Sequence, residues 1–141
     1  MSQSVLYYQL INKNHQFINE DRNFGGTELY VDLIPSSCWF TNVRYCVRQE
    51  DWNKIRKIVY SRVGYNCECC GTNCIDNKIQ IEAHERWSYD YSTQTQKLVR
   101  LVGLCKLCHL TTHYGFARIK GMEEKVSEHL KKTKNFNSSE L

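Results

Sequence analysis

The sequence predicts an α+β fold: an antiparallel hairpin and a helix gathered around a cysteine knuckle, with an N-terminal strand/helix extension and a C-terminal helix. Three observations predict it. Two C-x-x-C pairs, Cys67-Glu68-Cys69-Cys70 and Cys105-Lys106-Leu107-Cys108, flank a hairpin-sized insert. Within the insert, Ile79, Ile81 and Ala83 alternate with Gln80, Glu82 and His84, the period of a strand. After the last cysteine, His109 and His113 stand four apart, the spacing that puts two side chains on one helix face.

Taken in order, residues 1–26 are polar and weakly patterned, and Gly25-Gly26 reads as a turn. Glu28 to Ile34 is β-branched and aromatic with partial alternation, a strand that Pro35 stops. Ser36 to Val47 is an apolar stretch whose pattern fits a short helix or a buried loop. From Glu50-Asp51 a helix runs through Trp52, Ile55, Ile58, Val59 and Arg62 to a cap at Gly64, with acids at its start and Arg62 near its end. Lys78 to Glu85 is the first hairpin strand, Ser92 to Thr95 a turn, and Gln96 to Val102 the second strand. Leu107 to Lys120 reads as one helix ended by Gly121. Met122 to Lys134 reads as a charged helix with Val126 and Leu130 on one face, and Asn135 to Leu141 as a disordered tail. The organisation expected is an extension over 1–50, the knuckle-hairpin-helix module over 51–121, and the C-terminal helix and tail over 122–141.

The 141 residues suit one domain, and 41% hydrophobic content supports a packed core. No apolar run is long enough for a membrane span and no secretory signal opens the chain, so a cytoplasmic protein is expected. There thiols stay reduced, and paired cysteines read as metal ligands rather than disulfides. The net charge of +4 is concentrated at one end: residues 96–141 carry nine Lys/Arg against four Asp/Glu. A basic third of this kind suits a polyanion such as nucleic acid, or a solvated helical tail.

Cys67, Cys70, Cys105 and Cys108 are the expected ligands of a structural Zn²⁺. Four thiolates close a tetrahedral shell and leave no open position. Cys69 and Cys74 compete for places in the first pair, whereas Cys38 and Cys46 have no partner motif and read as core thiols. His109 leaves the knuckle in a direction fixed by Cys108, and His84 lies on the strand entering the hairpin. If the hairpin packs on the helix, His84, His109 and His113 converge on a second metal. Three imidazoles leave coordination positions open for water and substrate, which is the arrangement of a catalytic ion. Glu82, on the strand face of His84, is a candidate to hold the His84 ring.

From Cys67 to Gly121 the chain resembles the HNH, or ββα-metal, nucleases in their variant with a four-cysteine zinc. The resemblance implies a metal-dependent endonuclease acting on nucleic acid, with DNA the expected target. It puts His84, His109 and His113 at the metal positions, a set similar to that of the colicin-type nucleases. It puts Glu85 where the family has a general-base histidine. That departure leaves a carboxylate, a weak base at an ordinary pKa of about 4.3, to activate water. Imidazole ligands favour Zn²⁺, Mn²⁺ or Ni²⁺ over Mg²⁺ as the catalytic ion. Arg86, Arg100, Lys106, Arg118 and Lys120 lie near the site in sequence and are candidates to bind phosphates. Trp87, Tyr89 and Tyr91 read first as core residues and second as base-stacking ones. Residues 1–50 read as a packing extension or a protein-partner surface. The rival to the nuclease is a catalytically degenerate module of the same shape that binds nucleic acid or a protein.

Overall fold

A computed structural model describes residues 16, 17, 19–31 and 42–139. In chain order the elements are α1 (Val43–Cys46), α2 (Gln49–Arg62), β1 (Ile81–Asp90), β2 (Thr95–Cys105), α3 (Lys106–Thr112), α4 (Tyr114–Ile119) and α5 (Glu123–Ser139). The two strands make one antiparallel sheet, so the architecture is α+β as expected. No described helix is long and apolar enough to cross a membrane.

Helix α2 buries Trp52, Ile55 and Val59, the i, i+3, i+7 stripe legible in the sequence. It stops at a Schellman turn. Gly64 takes φ +61°, the Tyr65 N–H reaches back to the Tyr60 carbonyl at 3.0 Å, and the Gly64 N–H to that of Ser61 at 3.0 Å. The chain leaves this turn directly into Cys67.

The hairpin is longer than its alternation suggested. The strands pair from Ile81–Cys105 at the base to Asp90–Thr95 at the tip, with one irregularity between Arg86 and Trp87. Lys78 instead sits in a turn at φ +52°, so β1 starts three residues later than expected and runs on through Trp87 and Tyr89. The tip is closed by Asp90, whose Oδ1 accepts from the Ser92 N–H and hydroxyl.

Cys105 ends β2 and begins α3: its sulfur accepts the Cys108 N–H at 3.4 Å as an N-cap. The single helix expected over 107–120 is divided at His113, which has φ −99° and ψ 52°. The threonines explain the break. The Thr111 hydroxyl bonds the Leu107 carbonyl and the Thr112 hydroxyl that of His109, competing with the helix ladder. The His113 N–H still reaches the His109 carbonyl at 3.3 Å, so the two histidines keep their i, i+4 relation. α4 closes at Gly121 with a second Schellman turn, Met122 N–H to Ala117 carbonyl and Gly121 N–H to Arg118 carbonyl. α5 continues to Ser139 rather than ending at Lys134. No glycine or proline lies between Met122 and Ser139 to stop it.

The core joins Leu29, Val43, Trp52, Ile55, Val59, Ile81, Ala83, Leu101 and Leu104. Glu28 to Val31 forms no strand, although Leu29 is fully buried. The rest of that expected strand, Cys38, and Ser36 to Thr41 lie outside the described residues. Within 43–47 the short-helix alternative is realised as α1. Residues 20–28 are fixed to the module by charge. Arg62 grips Glu20 with two bonds of 2.7 and 2.8 Å, and Glu20 also accepts the Leu101 N–H at 2.9 Å. Arg86 and Arg100, cross-strand partners, both donate to the carbonyls of Phe24 and Gly26 at 2.8–2.9 Å. Gly25, between those carbonyls at φ +75°, leaves room for the clamp: a β-carbon there would lie 2.7 Å from an Arg86 nitrogen.

Candidate metal centres

The knuckle is a tight turn. The Gly71 N–H returns to the Cys67 carbonyl, and the Cys67 N–H bonds the Thr72 carbonyl, each at 2.9 Å. Gly71 holds φ +77°, which brings Cys70 back beside Cys67. Glu68 fastens this turn to β2: its N–H reaches the Gly103 carbonyl, and its carboxylate accepts the Gly103 N–H at 2.7 Å and pairs with Arg100. As a result the sulfurs of Cys67, Cys70, Cys105 and Cys108 all lie within 4.8 Å of one another, and Cys70 Sγ is 3.8 Å from Cys105 Sγ. A tetrahedral shell with Zn–S bonds of about 2.3 Å separates its sulfurs by about 3.8 Å. The four cysteines are therefore positioned to hold a metal ion. Cys69 and Cys74 are buried outside this group. Burial, then the charge at Cys67, pushes the Cys69 thiol up to about 12, and its place outside the four-sulfur group excludes it as a ligand.

His84 (β1), His109 (α3) and His113 (between α3 and α4) meet on one side of the hairpin. Their ring centroids are 5.2 Å (His84–His109), 5.1 Å (His84–His113) and 4.8 Å (His109–His113) apart, with steeply tilted planes. The set has one donor atom per residue within 4.8 Å of the others. His109 Nε2 and His113 Nε2 are 3.2 Å apart, close to the roughly 3.3 Å between nitrogens in a tetrahedral shell with bonds of about 2.0–2.1 Å. Two unprotonated nitrogens at that distance need a shared proton or a cation between them. His84 is buried and the other two are half-buried.

Glu82 hydrogen-bonds His109 Nδ1, where the sequence offered it to His84. Cross-facing placement explains the change: α3 lays His109 over the start of β1, beside Glu82. That bond holds the Glu82 carboxyl below its ordinary range. With the Nδ1 hydrogen committed to a carboxylate, His109 Nε2 presents its lone pair toward His113.

Glu85, one residue along β1, points to other partners. Val43 N–H donates to its Oε1 and Oε2 at 3.0 and 3.2 Å, and the Trp87 indole to its Oε2 at 3.0 Å. Burial raises its carboxyl above the usual value against the pull of those two donors. Of the five cations that lie near the site in sequence, Arg86 and Arg100 are buried at 2% and 3% exposure. They are spent on backbone carbonyls and, for Arg100, on Glu68, which corrects their assignment to phosphate binding. Lys106, Arg118 and Lys120 are exposed. Arg118 lies 3.7 Å from Glu123, and Lys120 sits over the exposed Phe116 ring. Trp87 packs against the core, whereas Tyr91 is exposed at the hairpin tip.

Comparison of the chain with protein-family models, with curated proteins and with solved structures finds no match. Two residues at these centres were not singled out from sequence. Arg44, beside Val43, is exposed with its guanidinium 5.9 Å from the Trp52 ring. His129, on α5, has Nε2 3.0 Å from Cys108 Sγ. Its position one residue before Leu130, on the inward stripe of α5, was the available signal.

Proposed function

We propose that the protein is a metal-dependent endonuclease of the HNH type, hydrolysing phosphodiester bonds in nucleic acid, with DNA the expected substrate. The observation that carries this reading is the meeting of three imidazoles, one from the hairpin, one from α3 and one from the junction of α3 and α4, over a module pinned by four cysteines. His84, His109 and His113 are the residues to hold a divalent ion, and Glu82 fixes the His109 ring by its Nδ1. Such an ion supplies Lewis acidity to a phosphate oxygen and makes water a better nucleophile. Nitrogen donors favour Zn²⁺, Mn²⁺ or Ni²⁺ over Mg²⁺. Lys106, Arg118 and Lys120, the exposed members of the cation set read from the sequence, are the side chains proposed to meet the phosphate backbone. By the resemblance Glu85 stands at the sequence position of the proton acceptor. Burial strengthens it as a base, while its bonds to Val43 and Trp87 hold it to the protein.

Those same bonds favour a second reading, a module of this shape without catalysis that binds nucleic acid or a protein partner. The test is incubation of supercoiled plasmid and of single-stranded DNA with the protein and each of Zn²⁺, Mn²⁺, Ni²⁺ and Mg²⁺. The nuclease reading expects nicking with at least one transition metal and its loss in His113→Ala. It expects Glu85→Gln to abolish cleavage if Glu85 takes the proton. It fails if no metal supports cleavage and His84→Ala binds metal as well as the parent does.

A further inference from the structure

The C-terminal helix reaches the sulfur centre. Val126 and Thr133 are buried and Leu130 is half-buried, and His129 lies among them on the same stripe of α5. Its Nε2 is 3.0 Å from Cys108 Sγ. His129 is not a competing ligand, because it does not belong to the set of donors that lie within 4.8 Å of one another. It approaches Cys108 from outside the shell.

Four thiolates around a dication carry a net charge of about −2, and a buried site of that charge gains from donors aimed at its sulfurs. Local groups serve two of the sulfurs. The Thr72 hydroxyl is 3.2 Å from Cys70 Sγ, and the Cys108 N–H is 3.4 Å from Cys105 Sγ. Cys108 has His129, among the described residues the one such donor that comes from beyond the knuckle, the hairpin and α3.

We infer that His129 is a member of the metal centre: its ring N–H hydrogen-bonds the metal-bound sulfur of Cys108, coupling ion binding to the docking of α5. Linkage makes the effect reciprocal. Whatever factor the helix adds to ion affinity, the ion adds to helix docking. The inference rests on the four-sulfur site and is independent of the nuclease reading.

The test loads the full chain with ¹¹³Cd²⁺ and looks for scalar coupling from the metal to the His129 ring proton across the sulfur. In parallel, ion release to a chelator is followed for the parent, His129→Phe, His129→Gln and Val126→Ala. Removing one outer partner of a metal ligand costs typically about 10–100-fold in affinity. The expected result is visible coupling in the parent, release at least about tenfold faster in His129→Phe, and substantial rescue in His129→Gln, whose amide can still donate. Val126→Ala removes packing without touching sulfur and should change release far less. The inference is overturned if coupling is absent and His129→Phe releases the ion at the rate of the parent or of Val126→Ala. A chain that binds no cadmium at its cysteines overturns both the inference and the four-sulfur site, which separates the two failures.

Discussion

Replacing Glu82 by glutamine tests the histidine centre without touching a ligand. Glu82 holds His109 Nδ1, and the side chain is 28% exposed. Glutamine keeps an oxygen that can accept the Nδ1–H bond, but it removes the negative charge beside the ring. Outer carboxylates on metal-bound histidines contribute about 10–100-fold to affinity. Partial exposure places this one toward the lower bound, so Glu82→Gln should weaken binding at the histidine site by about tenfold, or about 1.4 kcal/mol. Glu82→Ala, which also frees the ring to rotate, should weaken it further, toward 100-fold. Competition titration with Co²⁺ reads this directly, since a nitrogen site and a sulfur site give separable absorption bands. Equal affinity in parent, Glu82→Gln and Glu82→Ala would refute the claim that Glu82 orients a ligand.

Other expectations follow from the scaffold. Arg62 and Glu20 are buried at 4% and 0% side-chain exposure, so Arg62→Ala or Glu20→Ala should each cost about 3–5 kcal/mol in denaturant unfolding. The double variant should cost clearly less than the sum, and single losses under about 1 kcal/mol would mean the pair behaves as an exposed one. Gly71→Ala forces a side chain onto φ +77° and should destabilise the metal-loaded protein by about 1 kcal/mol or more; unchanged stability would count against the tight knuckle. With its thiol pushed up to about 12 by burial, Cys69 should resist iodoacetamide at pH 7, where roughly one thiol in 10⁵ is ionised. Mass mapping that finds Cys69 alkylated ahead of the half-buried Cys46 would contradict its placement.

What the sequence made legible was what short-range spacing dictates. Alternation from Ile79 to His84 marked the first strand, the 52, 55, 59 stripe marked α2, and the paired cysteines marked their own site. The i, i+4 rule aligned His109 with His113 even though the helix divides between them. Partners brought together by tertiary packing were not legible. Glu82 shares a strand face with His84, but the choice of His109 depends on how α3 lies across β1. Arg86 and Arg100 look like solvent-seeking cations in isolation, and it is the Phe24 and Gly26 carbonyls, with Glu68 beside Arg100, that explain their burial. His129 is one histidine on a charged helix until α5 is placed against Cys108. Glu85 was read from its neighbour His84, yet adjacent strand residues face opposite ways, and its oxygens went to Val43 and Trp87.

The most direct test is a metal count by native mass spectrometry on the protein loaded with excess Zn²⁺ and desalted, for the parent, His84→Ala and His113→Ala. Two ions per parent chain, falling to one in each histidine variant with the cysteine-bound ion retained, is the result expected of two centres sharing one helix. A single ion in the parent, unchanged in both variants, would mean that the three rings hold no metal and would remove the basis for the proposed chemistry.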